Sequence, residues 1–103
     1  MADSKTRRAR KAFLQLVNAI DRRSCAINQS KDVIAFTINE SKIDFSHGEE
    51  HLAIDWLRSN LYEVAFPLTP AIYEQLLQLA EMVQYPTDKL LILRKLVSYP
   101  PIS

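Results

Sequence analysis

The sequence predicts an α+β domain, predominantly helical, with four helices and a small antiparallel hairpin or three-stranded sheet. Apolar residues recur at helical spacing over long stretches, and between the first and second of these the period shifts to two across residues 33–45. The length of 103 residues, with 48% hydrophobic and 24% charged, fits one compact domain spanning 1–103. The alternative is an all-α bundle in which 33–45 is irregular.

The first helix is predicted over about residues 4–24. Asp3 or Ser4 caps it, and Ala9, Ala12, Phe13, Leu16, Val17 and Ile20 form its apolar stripe. Arg7, Arg8, Arg10, Lys11 and Arg22 fall on the opposite side, where Leu14 is the apolar exception. Cys25 to Asp32 reads as a polar loop. Ile34, Phe36 and Ile38 then alternate with Val33, Ala35 and Thr37, and Asn39-Glu40-Ser41 supplies turn residues. Lys42-Ile43-Asp44-Phe45 alternates again. The expectation is a hairpin with Ile34, Phe36, Ile38, Ile43 and Phe45 on one buried face. Because a lone hairpin is marginal in water, Tyr62 to Phe66 is the candidate third strand, ended by Pro67.

A second helix is expected over about 47–60. Ser46-His47-Gly48-Glu49 fits a capping box, with Leu52, Ala53, Trp56 and Leu57 facing inward. His51, Asp55, Arg58 and Ser59 face outward. The third helix is capped by Thr69, with Pro70 in the first turn, where a missing N–H costs nothing. Ile72, Leu76, Leu79, Ala80 and Val83 line its inner face, Glu74, Gln75, Gln78 and Glu81 its outer one, and Tyr85-Pro86 stops it. The fourth helix runs from Thr87 or Asp88 to Ser98, ended by Tyr99-Pro100-Pro101. Its residues Leu90, Leu91, Ile92, Leu93, Leu96 and Val97 point in all directions of a helical wheel, so it demands cover on every side.

Charge and composition exclude several functions. A net charge of +1 gives no global attraction to nucleic acid or membrane. Its distribution is uneven: Lys5, Arg7, Arg8, Arg10, Lys11, Arg22 and Arg23 crowd the first quarter, and no Lys or Arg stands between Arg58 and Lys89. Gly48 is the sole glycine, which excludes glycine-rich phosphate loops. No apolar run approaches the ~20 residues of a membrane span, and no signal-peptide core follows the basic start. Cys25 is the one cysteine and reads as small apolar filler. It fits a reducing compartment, and a cytoplasmic location is expected.

Four motifs are set against plainer readings. His47-Gly48-Glu49-Glu50-His51 matches the H-x-x-E-H zinc-peptidase string, but capping explains Ser46 and Glu49, and the chain has little room for the third ligand that such enzymes carry far downstream. His51, Asp55 and Arg58 read as surface pairs at helical spacing. Pro67-Leu68-Thr69-Pro70 is a P-x-x-P string better explained as a helix start. The third and fourth helices have a helix-turn-helix layout, but the would-be recognition helix is leucine-rich. No catalytic, cofactor or metal site is predicted, and no enzyme activity.

The leading expectation is a small non-enzymatic protein-interaction module, an adaptor, regulator or assembly factor, that self-associates as a dimer. Leu90, Leu93, Leu96, Val97 and Leu14 are the candidate interface. The alternative is a nucleic-acid-binding accessory protein using Arg7, Arg8, Arg10, Lys11 and Arg22 on phosphates. Aromatic residues are not interleaved with those charges, which favours the first reading. Membrane binding is not expected, since the inner face of the first helix is committed to the core.

Overall fold

Residues 31–46 form a helix, and this overturns the α+β expectation. The computed structural model describes residues 4–97, with side chains from Thr6 onward, and contains no strand among them. The chain is an all-α bundle of α1 (Ser4–Ile27), α2 (Lys31–Ser46), α3 (Glu50–Glu63), α4 (Pro70–Met82) and a 3-10 helix (Thr87–Leu96). Ser4, one of the two expected caps, is the first residue of α1; Asp3 and the stop at Tyr99-Pro100-Pro101 lie outside the described residues.

The hairpin reading failed for a definable reason. Val33 to Ile38 is a short apolar run rich in β-branched residues, which fits either period. The residues of α2 that are buried are Ile34, Thr37, Ile38, Ser41 and Phe45, a helical spacing that passes through two hydroxyl residues. Both hydroxyls bond back onto their own helix: Thr37 Oγ1 donates to the Val33 carbonyl at 2.7 Å and Ser41 Oγ to that of Ile38 at 2.9 Å. Thus satisfied, they can be buried at little cost. Asn60 Nδ2 on α3 then donates to Thr37 Oγ1 at 2.8 Å, so the α2–α3 seam is partly polar. Of the expected buried hairpin face, Ile34, Ile38 and Phe45 are buried, whereas Phe36 is 53% and Ile43 50% exposed.

The candidate third strand is instead a helix end. α3 runs to Glu63, and the chain reverses through Ala65, held at φ 49°. The Ala65 N–H bonds the Tyr62 carbonyl and the Phe66 N–H that of Leu61, both at 3.0 Å, which is the double closure of a Schellman motif. The other α-helices end alike, with the left-handed position held by Asn28 after α1, Gly48 after α2 and Gln84 after α4. In α2 the Glu49 N–H reaches the Asp44 carbonyl at 2.8 Å; in α4 the Tyr85 N–H reaches that of Ala80 at 2.8 Å. These turns displace the predicted boundaries. α1 extends to Ile27 because its reversal waits for Asn28, and α3 starts at Glu50 because Gly48 terminates α2. The expected capping box at Ser46 is therefore absent: Ser46 Oγ donates to the Ile43 carbonyl, and Glu49 is the N-cap residue, without a side-chain bond.

α4 starts as its sequence dictates, with Thr69 Oγ1 accepting from the Ile72 N–H at 3.1 Å and Pro70 in the first turn. The core is continuous. Ala9, Phe13, Leu16, Val17 and Ile20 of α1 share one buried cluster with Ile54, Leu57 and Leu61 of α3 and Leu76 and Leu79 of α4. Phe13 stacks on Phe45 at a centroid distance of 4.3 Å. α2 packs chiefly on α3, α1 on both α2 and α4, and the 3-10 helix on α3 and α4. Near the far end of α1, Arg23 Nε donates to the Pro67 carbonyl and fixes the α3–α4 loop. Leu52, expected inside, is exposed, and Trp56 is half-buried with its ring edge-on to Phe36; Ile54 fills the inner position instead. No described helix is long and apolar enough to cross a membrane.

Candidate functional site

The leucine-rich segment after Pro86 is covered by its own chain. Leu90 and Leu93 are fully buried, while Leu96 and Val97 are partly buried against the core. The 3-10 geometry explains this: with about three residues per turn, Leu90 and Leu93 eclipse on one inner edge. Leu68 is also buried, and its N–H donates to the Leu96 carbonyl at 2.9 Å beside a parallel bridge between Leu68 and Val97. The Pro67-Leu68-Thr69-Pro70 string is thereby built into the bundle. The demand for cover that motivated an interface at Leu90 and Leu93 is met within one copy. Leu91 points the other way and is 53% exposed.

The polar residues singled out on α3 form a latch. Tyr85, buried after the α4 reversal, donates its hydroxyl to Asp55 Oδ1 at 2.6 Å. Arg58 lies 3.6 Å from the same oxygen. His51 Nε2 is 2.8 Å from the Val83 carbonyl, and because a carbonyl only accepts, that nitrogen carries the proton. The His51 ring meets Tyr85 edge-to-face at 5.4 Å, and Lys89 Nζ lies 5.7 Å from the Tyr85 ring centroid. Burial, then the hydrogen bond and charge of Asp55, push the Tyr85 phenol up to about 12. These groups hold the α4–3-10 connection against α3.

The zinc-peptidase string is divided between helices. His47 is the C-cap residue of α2 and His51 lies in the first turn of α3, with Gly48 reversing the chain between them. The two imidazoles therefore do not stand one turn apart on a common helix. Among the described residues, no three His, Cys, Asp or Glu side chains gather to hold a metal ion.

Two oppositely charged faces remain. On α1, Arg7, Arg8, Arg10, Lys11 and Arg22 are all exposed, and Leu14, 42% exposed, sits in a shallow depression walled by Arg7, Arg10, Lys11, Gln15 and Asn18. The second face is a groove of about 600 Å³ between α4 and the 3-10 helix. Tyr73, Leu77 and Leu91 give it an apolar floor, and Glu74, Glu81 and Asp88 line it with a single cation, Arg94. Tyr73 donates to the Leu90 carbonyl at 3.4 Å, bracing the two walls. Among the described residues the one ion pair is Arg58–Asp55, so neither face neutralises its charges internally. The groove was not foreseen as a site. Its signal was present in the lack of Lys or Arg from Glu63 to Asp88, but the pairing of α4 with a 3-10 helix was not readable. Comparison of the chain with protein-family models, curated proteins and solved structures finds no match.

Proposed function

We propose that the chain is a non-catalytic protein-interaction module, an adaptor or assembly factor, whose α4/3-10 groove docks a basic amphipathic helix of a protein partner. The observation that carries this is the groove itself: an exposed Leu91 and half-buried Leu77 and Tyr73 inside a rim of three carboxylates. An apolar floor favours aliphatic anchors, and a lining of three carboxylates against one cation, Arg94, selects cations around them. The titratable side chains His51, Asp55 and Arg58 are engaged in holding Tyr85 and its loop. With one cysteine and so no internal disulfide, a reducing compartment suits the chain, and the cytoplasm is part of this proposal.

The test is fluorescence anisotropy with a labelled synthetic peptide of Leu, Lys and Arg, its leucines at helical spacing, and a counterpart with Glu in place of every cation. The cationic peptide should bind, and Leu91→Asp or Glu81→Lys should weaken it at least about tenfold. Equal binding of the two peptides, or indifference to both substitutions, contradicts the proposal. The nucleic-acid reading has its own support in the five exposed cations of α1. If a DNA or RNA duplex is retained at low salt and lost on changing Arg7, Arg8, Arg10 and Lys11 to Ala, function belongs to that face instead.

A further inference from the structure

We infer that the occupant of the groove is α1 of a second copy of this chain, with Leu14 seated on Leu77 and Leu91 and the α1 cations facing the carboxylates of the rim. The inference rests on the groove being a docking site and adds the identity of what docks. Its basis is complementarity between two faces of one molecule. α1 presents an exposed leucine beside Arg7, Arg10 and Lys11, and the groove presents apolar side chains beside Glu74, Glu81 and Asp88.

Glu74 and Glu81 are seven residues apart on α4, about 10 Å along the axis, with Leu77 between them; on α1 Arg10 and Lys11 precede Leu14 by about one turn and Arg7 by two. The rest of the molecule permits the contact. α1 buries its Phe13–Ile20 side in its own core and leaves the Leu14 side open, and the charges on both faces lack partners within the chain. The near-zero net charge of +1 removes the general repulsion that keeps strongly charged chains apart. α1 packs on one flank of α4, with Thr6 and Ala9 beside Met82 and Val83, and the 3-10 helix on the other, with Leu90 meeting Tyr73. In the pair so inferred, α1 of each copy occupies the groove of the other, and the contact is made twice about a two-fold axis.

Sedimentation velocity of the full chain tests this with two triple reversals. The first is Arg7→Glu, Arg10→Glu and Lys11→Glu; the second is Glu74→Lys, Glu81→Lys and Asp88→Lys. All six positions are exposed, and circular dichroism verifies that each variant folds. The unaltered chain should form a dimer whose dissociation constant rises about tenfold or more between low and moderate salt, as expected for unburied charges at a rim. Each reversed variant should be monomeric, since both of its faces then carry one sign. An equimolar mixture of the two should recover the dimer, because both contacts become complementary again. A chain that stays monomeric at low salt, a dimer that persists in either variant, growth beyond a dimer, or a mixture that does not associate overturns the inference. If the chain is monomeric yet the cationic peptide still binds the groove, the second-copy inference fails and the docking reading stands; if the peptide fails too, both fall.

Discussion

Exchanging glycine and alanine between two helix ends should change stability in opposite directions. Gly48 and Ala65 occupy equivalent positions in their Schellman motifs, at φ 79° and 49°. A Cβ built on Gly48 meets nothing within 4 Å, so Gly48→Ala tests backbone conformation without a clash. Left-handed geometry costs a non-glycine residue about 1–2 kcal/mol, and the smaller freedom of alanine in the unfolded chain returns about 0.4–1 kcal/mol. The net expectation is a loss of about 1 kcal/mol for Gly48→Ala and a gain of similar size for Ala65→Gly. For a domain of this length that corresponds to roughly 4–8 °C in Tm, down for the first and up for the second. Urea titration followed by circular dichroism at 222 nm gives both values, with unchanged m-values showing that unfolding remains the same process. The second variant is the sharper one. Within a helix or strand, Ala→Gly destabilises by about 0.5–1 kcal/mol, so a destabilised Ala65→Gly protein would refute the assignment of 62–66 as a helix reversal.

Two further expectations follow from buried polar groups. Tyr85→Phe removes the hydroxyl bonded to Asp55 and should cost about 1–2 kcal/mol near neutral pH, at the lower end because the Asp55 side chain is 39% exposed to water. The neutral phenol is the favoured form in the fold: below pH 10.0 its contribution is complete, and between 10.0 and about 12 the unfolded chain loses its proton first, so stability falls as pH rises. The stability difference between the parent chain and Tyr85→Phe, measured by urea titration across that window, should therefore shrink; a difference that holds constant would rule out the Tyr85–Asp55 linkage. Thr37→Val keeps the shape of the side chain but strips Asn60 of its acceptor and should cost about 1–3 kcal/mol by the same titration, whereas a true strand residue pointing to solvent would tolerate valine.

Much of the fold was legible along the chain. The α1 stripe, the Thr69-Pro70 start of α4 and the inner face from Ile72 to Ala80 lie where local spacing puts them, because periodicity and capping are properties of neighbouring residues. The region 33–45 was misread because burial there includes Thr37 and Ser41, and a hydroxyl satisfied by its own helix carries no mark in the sequence. Three of the four reversals were similarly hidden, since Asn28, Ala65 and Gln84 serve where glycine would have advertised a stop.

The candidate site divides along the same line. By itself the sequence determined that positive charge gathers in the first quarter of the chain, that the stretch from Glu63 to Asp88 has none, and that Leu14 stands among cations. Tertiary structure alone decided which leucines after Pro86 face inward, since the 3-10 pitch puts Leu90 and Leu93 in the core and leaves Leu91 at the groove. It also decided that Glu74, Glu81 and Asp88 share one concave surface. The physical reason is that charge and apolarity are counted residue by residue, whereas concavity arises only when two separately formed helices pack and leave a space between them.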